Sequence, residues 1–327
     1  MIAPASAAGY RLLHTIPVAG DDGWDHPTVD GAARRLYVTH GSHVVVIDVD
    51  SGQPTGKIDN TPGAHIVVID PETHRGFVSY GRGAASALLM FDTNTLAHLG
   101  VIKTTGENPG PTVFDAATRR VFTFNLDSNS ATVVDADAAK VVGSFDLGGK
   151  PELAGADGRG NVFVNLVQKN VVLHIDAHKM VVSHAWPVAP CVGPRTIAVD
   201  PTAGRLFVGC ANRMMAVLDA GNGRVVATLP IGAGPDDSAF DAETRRVFIS
   251  NADGTVSVIQ QETPDRYSVI ETVKTVPGAR NMALDAKTKR IYLPLFDRGP
   301  SPVPTAQSPN PKGAPMPGTF RVLVFGQ

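Results

Sequence analysis

Short apolar runs of four to seven residues recur along the whole chain, separated by turn-rich polar stretches. Arg35-Leu36-Tyr37-Val38-Thr39-His40 is followed by a turn at Gly41-Ser42 and by Val44-Val45-Val46-Ile47-Asp48. The same phrase returns at Arg75–Tyr80, Arg120–Asn125, Asn161–Asn165, Arg205–Cys210, Arg246–Asn251 and Arg290–Leu295. No apolar period of 3.6 residues appears, so the runs predict strands and not helices. Each copy is preceded by a shorter apolar strand ending in Asp: Asp30, Asp70, Asp115, Asp157, Asp200, Asp241 and Asp285. The carboxylate at that position accepts backbone N–H groups in the following turn.

Successive Asp residues stand 40, 45, 42, 43, 41 and 44 residues apart. A period of about 40–45 residues with four short strands is the signature of a propeller blade. The reading is therefore an all-β, seven-bladed β-propeller of four-stranded antiparallel blades, spanning 1–327 as one domain. In blade 5 the strands are Thr196–Val199 (A), Leu206–Gly209 (B), Ala216–Leu218 (C) and Val225–Leu229 (D). The last copy reaches strand C at Arg321–Phe325 and lacks a strand D, while Tyr10–Ile16 reads as an orphan strand D. The N-terminal strand is expected to complete the last blade and so remove two open sheet edges. Residues 1–9, small and Ala-rich, read as a disordered tail too short to hold a signal sequence. A Pro-rich insertion at 297–319 in blade 7 cannot be a central strand. Its position between strands B and C puts it on the face where chains enter strand A, as a surface loop or a lid.

Composition narrows the function classes. Hydrophobic residues make up 43% and charged residues 18% of the 327, which suits a large core. A formal charge of −2 and the lack of a basic stripe argue against nucleic acid as a partner. No apolar run approaches the roughly 20 residues of a membrane-spanning helix. Gly-x-Ser-x-Gly, His-Glu-x-x-His, a phosphate loop and a dinucleotide fingerprint are all absent.

Tyr37-Val38-Thr39-His40 is one residue from the Tyr-Val-Thr-Asn phrase that names the YVTN-repeat, YncE-like β-propellers. Asp70-Pro71-Glu72-Thr73-His74-Arg75 and Asp48-Val49-Asp50-Ser51-Gly52 match further elements of that family. The chain resembles it over essentially its whole length. The resemblance implies a bacterial protein exported to the periplasm or beyond, and leaves the activity open. Similar seven-bladed propellers include lactonases, a streptogramin lyase, amine dehydrogenase subunits and pure binding proteins.

Residues equivalent to the family's Asn are His40, Tyr80, Asn125, Asn165, Cys210, Asn251 and Leu295. Counting back through each A–B hairpin pairs them with Asp25, His65, Gly110, Glu152, Arg195, Asp236 and Arg280. The second set is expected at the mouth of the central channel, a concavity with convergent polar groups. Asp25, His40, His65 and Tyr80 form a candidate acid–base side, since a carboxylate beside an imidazole suits a general base. Glu152, Arg195, Asp236 and Arg280, with Asn125, Asn165, Asn251 and Cys210, form the candidate ligand-binding side; arginines grip carboxylates or phosphates. His26, His40 and His65 are candidate ligands for a divalent metal, zinc in particular, with calcium or magnesium on carboxylates as the alternative. Cys210 has three readings: a thiol activated by Arg195, a buried inert thiol, or a disulfide with Cys191 that requires the intervening loop to fold back.

Two functions follow as expectations. One is a scaffold that binds a small polar or anionic ligand, or a partner's loop, at the axial mouth. The other is a propeller enzyme, a lactonase-like hydrolase or a lyase, working through the Asp/His/Tyr cluster.

Overall fold

The computed structural model describes residues 9–303, 305, 311 and 313–327. The proposed tail at 1–9 falls outside them except for its last residue, as does much of the apex of the 297–319 insertion. Seven four-stranded antiparallel sheets form the molecule. Their innermost strands touch one another in ring order, from blade 1 through blade 7 and back to blade 1. The strand from Arg11 to Pro17 lies antiparallel to Arg321–Gly326, with Leu12 opposite Phe325 and Ile16 opposite Val322. It is strand D of blade 7, so the chain's two ends share one sheet.

Strand B of each blade is buried along nearly its whole length because both of its faces are covered; in blade 1, Leu36, Tyr37, Val38, Thr39 and His40 are all buried. Among the described residues, seven apolar clusters each straddle one interface between neighbouring blades. Leu36 and Val38 of blade 1, for instance, pack on Tyr292, Val322 and Val324 of blade 7. Burial of this kind contributes roughly 1.5–3 kcal/mol per large side chain, and it holds the blades as a ring instead of as separate sheets.

The repeated Asp does the turn work expected of it. Asp30 accepts the N–H groups of Ala32 and Ala33, and Asp200 those of Thr202 and Ala203. It also ties blades together. Arg34 of blade 1 donates to Asp285 of blade 7, Arg119 of blade 3 to Asp70 of blade 2, and Lys289 of blade 7 to Asp241 of blade 6. On this face, ion pairs to the repeated Asp join three of the blade junctions.

The opposite face carries the D–A connections and the B–C turns, which bond to each other: Gly63 N–H donates to Gly41 O, and Ala252 N–H to Gly234 O. The insertion of blade 7 obeys the same rule. Val18 N–H donates to Phe320 O and Gly318 N–H to Asp21 Oδ1, so the returning arm of its base lies on the segment that leads into blade 1.

Candidate functional site

The A–B pairing differs from a simple hairpin count. In blade 5, Pro194 pairs with Cys210 and Thr196 with Gly209, which leaves Arg195 as an extra residue outside the ladder. Blade 6 repeats this, with Pro235 opposite Asn251, Asp237 opposite Ser250, and Asp236 extra. In blades 3 and 4 the same irregularity falls at Gly110-Pro111 and Glu152-Leu153. A bulge adds a residue, bends the strand and re-aims a side chain. In blades 1, 2 and 7 the paired part of strand A starts only at Thr28, Ile66 and Ala283, beyond Asp25, His65 and Arg280. The expected pairs Arg195–Cys210, Asp236–Asn251 and Gly110–Asn125 are therefore displaced by one position, and Asp25–His40, His65–Tyr80 and Arg280–Leu295 are not ladder partners.

The ring residues nevertheless gather. His65 Nδ1 donates to Asp25 Oδ2 at 2.7 Å, and its Nε2 lies 2.9 Å from Asn108 Oδ1. His26 Nε2 stands 3.2 Å from Asp25 Oδ1, and its Nδ1 donates to Asp237 Oδ2 at 2.9 Å. Blades 1 and 6 are not neighbours, so this last bond reaches past the inner strand of blade 7. Asn281 of blade 7 fills the gap and donates to Asp236 Oδ2 at 3.1 Å. Arg280 Nε stands 3.1 Å from Asp236, and Arg195 lies 3.7 Å from Glu152. Asp25, His26, His65, Asp236 and Arg280 thus form one polar network at the mouth, joined by Asn108, Asp237 and Asn281, with Glu152 and Arg195 as a separate pair. Hairpin arithmetic missed these last three; each neighbours a ring position or precedes a strand A.

Electrostatics follows from this packing. Burial lowers the basicity of His26, but Asp237, Asp25 and Asp236 outweigh it and push its pKa up to about 10. Burial would raise the Asp25 carboxyl; His26 and His65 override that and hold it below the ordinary carboxylate range. Burial pushes the Glu152 carboxyl up against the pull of Arg195.

Other sequence candidates lie elsewhere. His40 is fully buried, stacked on Phe320 with ring centres 4.3 Å apart, and both its nitrogens lack a hydrogen-bond partner among the described residues. Burial lowers its pKa, with His43 adding to the effect. Gly20 (φ 110°) allows this approach, since a Cβ there would sit 2.5 Å from His40 Nε2. Tyr80 packs among Tyr37, Val44 and Phe91 in the cluster between blades 1 and 2, and burial raises its pKa. Neither residue joins Asp25 and His65, because the A–B ladders of blades 1 and 2 keep the counted register but stop at Thr28–Tyr37 and Ile66–Ser79, short of those pairs. Asn125 and Asn251 turn outward to strand C, donating to Ser130 and Thr132 and to Thr255 and Ser257 respectively. Asn165 donates to Thr196 O in the next blade. Cys210 is bonded to Cys191, with Cα atoms 5.8 Å apart; the loop folds back through Cys191 N–H to Val188 O. Cys210 therefore carries no free thiol to the mouth. Among the described residues no three His, Cys, Asp or Glu side chains gather as a metal-binding group. The His26, His40 and His65 set fails because His40 lies apart and the other two rings are committed to carboxylates.

Beside the network opens a cleft of about 600 Å³, lined by Trp24, Val276, Pro277, Arg280, Phe296 and Arg298 among others. Trp24 and Phe296 meet edge to face at 4.7 Å, and Arg298 lies 4.7 Å over the Phe296 ring. Asp297, also in the lining, is taken up by Arg321. The Arg280 side chain is 44% exposed and bound only through Nε among the described residues. The Trp24 indole N–H is buried and has no partner among the described residues, and Arg298 gives one N–H to Gly313 O. The cleft thus sets two guanidinium groups beside two aromatic rings.

These features define a seven-bladed β-propeller with a polar axial mouth. No family model matches the sequence. The uncharacterized protein YncE of Salmonella typhimurium is 24% identical over 280 residues, 81% of this chain and 67% of that protein. That likeness and this architecture make the chain similar to the YncE propeller. Solved structures agree on the fold alone: the RRP9 WD40 repeats (TM-score 0.77, 10% identity, 97% of each chain) and a chain of the mitotic checkpoint complex (TM-score 0.77, 12% identity, 100% of this chain and 97% of that one). No helix among the described residues is long and apolar enough to cross a membrane.

Proposed function

We propose that this protein binds a small organic anion, or an anionic side chain on a partner's loop, in the cleft between Trp24, Phe296, Arg280 and Arg298. The half-exposed Arg280 guanidinium, paired through Nε alone and set beside Arg298 and two aromatic rings, carries the reading: guanidinium groups grip carboxylates and phosphates through paired hydrogen bonds, and aromatic walls accept a planar body. The acid–base cluster favours binding over turnover. His26 and His65 have both ring nitrogens engaged within the protein, whereas a general base needs one nitrogen within reach of substrate. The Cys191–Cys210 disulfide suits an oxidising compartment, which supports export to the periplasm or beyond.

Thermal-shift and calorimetric titration with a panel of carboxylates and phosphate esters tests this. At least one anion should raise the melting temperature, and Arg280→Gln should weaken it about tenfold or more, the worth of one charge-assisted hydrogen bond. Affinity unchanged by Arg280→Gln combined with Arg298→Gln sinks the reading. The Asp25–His65 contact keeps a lactonase-like or lyase reading in view. Turnover of a lactone by the wild type, abolished in His65→Gln with ligand affinity retained, would favour that reading instead.

A further inference from the structure

Far from the mouth, blade 4 presents a ladder of rings on one face. Phe163 of strand B stands opposite His174 of strand C, which stands opposite His184 of strand D. The two imidazole Nδ1 atoms are 3.4 Å apart. Two nitrogens held at about 2.0–2.1 Å by one tetrahedral ion stand roughly that far from each other. His174 is fixed from behind: its Nε2 is 2.8 Å from Asn161 Oδ1, and Asn161 in turn donates to Asp157 Oδ2 at 2.7 Å. That is the arrangement in which a metal-binding imidazole gives its other N–H to an oxygen; its inner nitrogen shares one proton with His184 Nδ1 in a hydrogen bond, and an ion would replace that proton. Stacking between Phe163 (5.3 Å) and Trp186 (5.0 Å) holds the same ring in plane. His184 is exposed, so its side chain can adjust and solvent can fill the remaining coordination positions.

We propose that His174 and His184 form a surface site for one imidazole-preferring transition-metal ion, with copper(II) bound most tightly of the common divalent ions. Asn161 acts as a positioning residue. The site is separate from the mouth network and shares no residue with it.

Trp186 supplies the readout, because its ring lies 5.0 Å from His174 and 5.9 Å from His184 and bound copper(II) quenches nearby indole emission. A copper(II) salt is titrated into the full chain in a non-coordinating buffer. Emission should fall saturably at one ion per chain and recover with EDTA. Trp24→Phe, which leaves Trp186 as the sole indole, should keep the effect. His184→Ala, at an exposed position, should remove the saturable phase. His98→Ala, an exposed histidine of blade 2, should leave it in place. Asn161→Ala should weaken it by about 10–100-fold. A saturable phase that survives His184→Ala, or quenching that rises without saturation to a tenfold excess of copper, overturns the proposal.

Discussion

His26 is the residue on which the mouth turns. Its two ring nitrogens are spent on carboxylates from its own blade and from blade 6, so a protonated ring neutralises charges that burial would otherwise penalise. His26→Gln leaves Asp25 and Asp237 without that cation, and the loss should be about 3–5 kcal/mol, the usual result of breaking a buried pair from one side. The pH dependence has a definite sign. The His26 pKa rises on folding from 6.5 to about 10, so its contribution is complete below about pH 6.5 and is lost as pH climbs through about 10. The Asp25 pKa falls on folding, so its contribution is present above the ordinary carboxylate range and is lost on acidification. The melting-temperature gap between wild type and His26→Gln should be widest at pH 5–6 and close towards pH 10. A gap that widens with pH contradicts the ion-pair account. His40 illustrates the reverse case, a histidine whose polar atoms find no hydrogen-bond partner among the described residues and whose role is packing on Phe320.

At the scale of elements, the disulfide and the bulges matter most. Cys191 and Cys210 lie 19 residues apart in sequence, and closing a loop of that size constrains the unfolded chain by about 3 kcal/mol. Denaturant unfolding with and without reductant checks this; Cys191→Ala combined with Cys210→Ala should match the reduced protein, and an unmoved midpoint would remove the disulfide from the stability account. The strands, the turns at Asp30 to Asp285 and the sharing of blade 7 were legible in the sequence, because alternating turn signals and the 40–45-residue period report local chemistry. The bulges were not. Counting across a hairpin assumes one residue per partner, and Arg195 and Asp236 break that assumption. A signal was present: Pro109, Pro151, Pro194 and Pro235 each precede a ring position, and Pro, lacking an N–H, belongs at the start or irregularity of a strand. Asp237 and Asn108 could have been found by that cue; Asn281 could not, because Ala279 stands before its ring position. The cleft could not, since Trp24, Arg280 and Phe296 meet only through ring closure.

At the scale of the molecule, closure is the governing fact. Arg11–Pro17 is the outer strand of the blade that carries the chain's other end, and Arg34 reaches Asp285 across the same junction. Removing residues 1–17 bares the edge of Arg321–Gly326 and strips Tyr10 and Ile16 from their clusters. An unpaired apolar edge recruits other chains, so the truncated protein should scatter light and elute as oligomers, and a synthetic peptide of residues 9–18 should restore the monomer. A truncated form that stays monomeric with an unchanged melting point would show that the seam is not needed. Arg195 and Asp236, extra to their ladders, hold places that backbone pairing does not dictate. Charge at such places can be rewritten while every strand keeps its neighbours, so a new ligand preference costs such a scaffold little foldability.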